Sequence, residues 1–112
     1  MSLSDNWDSF EDSLKAGVRQ LSKATFGEVL SQAENDADRF VKETGERLRR
    51  WGNALANGLL TKDEFEDLVA GRKDLAKMHA LKSLGKSQAA LERFRTGLIS
   101  LVINSAFDAI GL

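Results

Sequence analysis

His79 is the only histidine in the chain, and there is no cysteine. A zinc site needs several thiolate, imidazole or carboxylate ligands brought together, and His79 has no second histidine to share one. A general base needs a partner that orients it, yet its neighbours Lys77 and Lys82 are cations. Asp74 precedes His79 by five positions, which does not match the Glu-x-x-His spacing of helical carboxylate metal sites. His79 therefore reads as an ordinary surface or boundary residue. No G-x-S-x-G, H-E-x-x-H or phosphate-cradling glycine loop occurs. Arg47, Arg49 and Arg50 could bind phosphate, but adjacent glutamates favour a helix-end cluster that complements the dipole. Trp7 and Trp51 fall on apolar seams, which suits core anchoring better than base stacking. The expectation is a non-enzymatic chain with no catalytic residue, metal or cofactor.

The stretch from Trp51 to Leu68 organises the rest. Gly58 follows an apolar periodic run and can adopt the left-handed conformation that closes a helix. Thr61 and Glu64 fit a capping box, with Asp63 and Glu64 adding negative charge to the first turn. A helical corner at 56–61 follows. The segment Asn53–Glu64 resembles an EF-hand loop: Gly58 falls on the sixth position, Leu60 on the eighth, Glu64 on the twelfth, and Phe65 follows. Its first, third and fifth positions are Asn53, Leu55 and Asn57, however, and Leu55 has no oxygen to offer calcium. The corner also resembles a SHOCT-type short helical hairpin through Gly58, Leu60, Thr61, Glu64 and Phe65. That resemblance implies oligomerising or membrane-linked behaviour.

The elements around this corner are helical. With 112 residues and no proline, the chain suits one all-α domain over 1–112, a bundle or elongated hairpin of four to five helices. Residues 1–5 are expected to be disordered, with Ser4 or Asp5 capping a first helix striped by Trp7, Phe10, Leu14, Val18 and Leu21. A second run, Phe26, Leu30, Ala33, Ala37, Phe40, Thr44, Leu48, Trp51 and Leu55, predicts a coiled-coil-like helix roughly 45 Å long. Its charged residues, Asp36 among them, are placed on a solvated face. A short helix over 62–70 follows. Asp74 is then expected to cap a helix with Leu75, Met78 and Leu81 on one side; Gly85 ends it and Ser87 opens the last helix.

The last helix, over 87–110, is amphipathic up to Arg95 and apolar nearly all round from Gly97. Such a helix must be buried, centrally or against something outside the fold. With few elements available to surround it, Leu98, Ile99, Leu101, Val102, Ile103, Asn104, Phe107 and Ile110 are the expected interface, most simply in a homodimer, with Asn104 fixing register. Charge is uneven. Residues 1–70 carry 9 Lys and Arg against 14 Asp and Glu, a balance of −5, and residues 71–112 carry 7 against 3, a balance of +4. The two halves can attract each other, within a bundle or between subunits, or the second can offer a basic face. The leading expectation is a cytoplasmic scaffold, adaptor or assembly subunit that binds itself or another helical protein. The alternative is association with an anionic membrane surface through basic residues 72–95 and the apolar segment 97–112. Nucleic acid is the weaker partner, because aromatics are not interleaved with the basic residues.

Overall fold

Helical periodicity accounts for nearly every ordered segment of the chain. The computed structural model describes residues 2–112, and among them the elements are α1 (Trp7–Phe26), α2 (Ser31–Ala56), α3 (Lys62–Ala70), a 3-10 turn (Lys73–Leu75), the short α4 (His79–Ser83) and α5 (Gln88–Ile110). There is no strand among the described residues. The body measures 43 × 23 × 19 Å.

The first long apolar run does not continue as one helix. Gly27 takes φ 81° and closes α1, so Phe26 belongs to α1 and the predicted seam begins at Leu30. Ser22 stitches this reversal. Its Oγ donates to the Glu28 carbonyl at 2.8 Å and accepts from the Leu30 amide at 2.9 Å. A fully buried hydroxyl thereby satisfies backbone groups of the linker.

Helix α5 runs through the centre. It lies antiparallel to α1, because Leu101 fits where Gly17 lacks a side chain and Leu21 fits where Gly97 does. A Cβ at either glycine would sit 2.6 Å from a methyl of the facing leucine, so each leucine as seated uses the space that the missing side chain leaves. Gly97 is thus a packing residue in mid-helix. Phe26 against Phe94, ring centroids 5.7 Å apart, extends the same contact. α2 is antiparallel to α1 as well, with Trp7 above Gly45 and Leu3 seated on Gly52. Its seam residues Leu30, Ala33, Ala37, Phe40, Thr44, Leu48 and Leu55 are all buried, against the chain's own helices.

Two terminal expectations are corrected. Residues 3–6 form turns, and Leu3 is fully buried. Ser4 and Asn53 exchange hydrogen bonds of 3.3 and 3.1 Å that hold this leader in place. Met1 lies outside the described residues. Neither Ser4 nor Asp5 caps α1: Asn6 occupies the N-cap and no side chain caps it.

Candidate interaction site

The predicted interface residues come together, but as core. Leu98, Ile99, Val102 and Ile110 are buried inside the chain, Leu101, Ile103 and Phe107 are half-buried against that core, and Asn104 is exposed. α1 covers the Leu101 side of α5. α3 covers the other, where Phe65 and Phe107 stack at 5.7 Å and Lys62 Nζ lies 5.4 Å above the Phe107 ring. A long α1 and a short α3 together supply what a second subunit was invoked to supply. Within the apolar segment 97–112, Leu98, Ile99, Val102, Ala106 and Ile110 are buried in the fold, and Leu112 is exposed. No helix among the described residues is long and apolar enough to cross a membrane.

The other chemistry-bearing residues do not converge. His79 is exposed in a shallow depression with Asn35, Asp36 and Arg39. The Asp36 carboxylate is aimed elsewhere: its two oxygens accept from the Ala80 and Leu81 amides, each at 2.9 Å. Asp36 was assigned to a solvated face, yet it is buried and caps α4 from a different helix. Asp74, the expected cap, instead sits in the 3-10 turn. Arg47, Arg49 and Arg50 do not crowd a helix end, because α2 continues to Ala56. Arg49 lies 4.1 Å above the Trp7 ring, and Arg50 pairs with Glu46 at 3.3 Å. No group of three or more histidine, aspartate or glutamate side chains able to hold a metal ion occurs among the described residues. At the corner, Gly58 has φ 74°. Thr61 Oγ1 accepts from the Glu64 amide at 3.1 Å, and Glu64 Oε1 accepts from the Thr61 amide at 2.9 Å. Glu64 thus serves the capping box, and Asn53 to Ala56 are helical.

A groove of about 680 Å³ separates α1 from α2. Leu14, Val18, Ala37 and Val41 are its apolar lining, while Glu11, Asp12, Glu34, Asp38 and Glu46 are mixed with Lys15, Lys42 and Arg49 around it. Such a rim presents no single charge for recognition. Elsewhere, Glu92 accepts from Lys73 and Arg95, both at 2.6 Å. The Lys73 hydrogen bond, more than any other influence, holds its carboxyl below the usual value.

The remaining surface feature is at the ends. The large exposed apolar residues are Val29, Leu59, Leu84 and Leu112. Leu59 lies in the α2–α3 corner and Leu112 just beyond α5. The antiparallel contacts of α5 with α1, and of α1 with α2, place both at one end of the long axis. Val29 lies in the α1–α2 linker and Leu84 in the α4–α5 turn. The Phe26–Phe94 contact, and Lys86 at 5.6 Å from the Phe26 ring, place these two at the opposite end. Sequence periodicity missed all four because each lies outside the helices and so outside any stripe; an aliphatic residue beside a turn glycine, as at Gly58–Leu59 and Leu84–Gly85, was the available signal. Compared with protein-family models, curated proteins and solved structures, the chain matches none.

Proposed function

We propose that this chain is a non-enzymatic assembly protein, a scaffold, adaptor or assembly subunit that associates with copies of itself. One observation carries the reading: exposed aliphatic side chains gather at both ends of an elongated body whose flanks are otherwise polar. Apolar groups left in water favour burial against a partner. The coiled-coil-like character expected of α2 enters this reading only as stiffness, since its seam faces inward. The test is sedimentation velocity across a range of protein concentrations. The expected result is an average mass that rises above the 12.3 kDa of one chain as concentration increases. A mass equal to one chain at every concentration overturns the reading.

A further inference from the structure

Resting on that reading, we infer that the copies join head to tail, the corner end of one chain docking on the α4–α5 end of the next. The two ends differ in charge as well as position. Around Leu59 and Leu112 stand Asp5, Asp8, Asp63, Glu64, Glu66 and Asp108, all exposed. The cations nearby are fewer: Arg50 pairs with Glu46, Arg49 and Lys62 lie over the Trp7 and Phe107 rings with their charge intact, and Arg47 is exposed. Around Val29 and Leu84 stand Lys23, Lys77, Lys82, Lys86 and Arg93, with Glu28 and Asp74 among them. Several acids of that region are engaged, since Asp36 caps α4, Glu34 pairs with Arg19 at 2.8 Å, and Glu92 pairs with Lys73 and Arg95.

Each end thus carries two exposed aliphatic side chains among charged residues, and the prevailing charge is opposite at the two ends. Apolar anchors inside a polar rim are the usual anatomy of a protein interface. Opposite charges suit a heterologous contact and disfavour a twofold one, which would press like charge on like charge. An end face of 23 × 19 Å offers about 400 Å² per partner, half of what a stable complex usually buries. The contact is therefore weak, concentration-dependent and sensitive to salt. Repetition gives an open chain of subunits unless the rotation between neighbours closes a ring.

Two end-specific variants test this in the whole protein. The pair Leu59→Lys and Leu112→Lys places cations at the acidic end; the pair Val29→Glu and Leu84→Glu places acids at the basic end. All four positions are at least 44 % exposed, so the fold survives, which circular dichroism verifies. Sedimentation velocity then reads three samples. Each variant alone is expected to stay a monomer. Their equimolar mixture is expected to form a dimer that grows no further, because each chain keeps one usable end. Wild-type association is expected to weaken about tenfold between roughly 0.05 and 0.5 M NaCl, as screening removes the charge contribution. If wild type assembles but one variant alone still dimerises, self-association stands and the head-to-tail arrangement is overturned. A mixture that stays monomeric, or wild-type assembly indifferent to salt, overturns it too. A wild type that never assembles overturns both readings.

Discussion

Helices α3 and α4 begin in opposite ways. The start of α3 is self-contained: Thr61 and Glu64 cap each other's backbone amides within four residues of chain. The start of α4 has no local cap. Met78 precedes it at φ 56°, a left-handed conformation that costs about 1–2 kcal/mol for a residue with a side chain. The free amides of Ala80 and Leu81 are met by Asp36, which belongs to α2. α3 can therefore begin wherever its sequence goes, whereas α4 exists only where α2 has already been placed beside it.

That contrast can be broken at three places. Asp36→Ala is expected to have the largest effect, about 3 kcal/mol, because it leaves the Leu81 amide buried without an acceptor and removes a charge-assisted bond as well. Urea unfolding measures the loss, and amide exchange should show Ala80 and Leu81 losing protection; unchanged exchange would mean the cap is dispensable. Met78→Gly sets two effects against each other. Glycine relieves about 1 kcal/mol of backbone strain, but Met78 is only 1 % exposed and deleting such a side chain costs about 2–5 kcal/mol. The net expectation is destabilisation of about 2 kcal/mol, and a gain in melting temperature would show that strain dominates this junction. The smallest effect is expected from Thr61→Ala, about 1 kcal/mol. It should add to Asp36→Ala without coupling, since the two caps share no partner; a double mutant far from additive would join the two helix starts into one unit.

The same contrast explains what could be read in advance. Gly58, Thr61, Glu64, Gly85 and Ser87 were legible as helix boundaries because each acts on backbone within a few residues of itself. Asp36 was not, because its two partners lie 44 and 45 positions away, and a carboxylate in a helix gives no sign of whether it faces water or another helix's amides. The all-round hydrophobicity of α5 correctly announced burial but not what would do the burying. The answer lay in Gly17 and Gly97, whose missing side chains admit Leu101 and Leu21, and periodicity treats such glycines as gaps in a stripe. The end faces were half legible. The charge imbalance between the two halves of the chain was visible, while the exposed aliphatic residues only acquired a common position once the helices were laid side by side.

The reciprocal seating of leucine on glycine between α1 and α5 also sets an order of events during synthesis. Gly17 and Leu101 belong to α1 and α5, so this contact joins residues far apart in the chain, the slow kind of contact to form. A nascent chain that has only reached the α4–α5 turn holds Phe10, Leu14 and Val18 with their principal cover still inside the ribosome. Until α5 emerges, that stripe is open to chaperones and to neighbouring nascent chains.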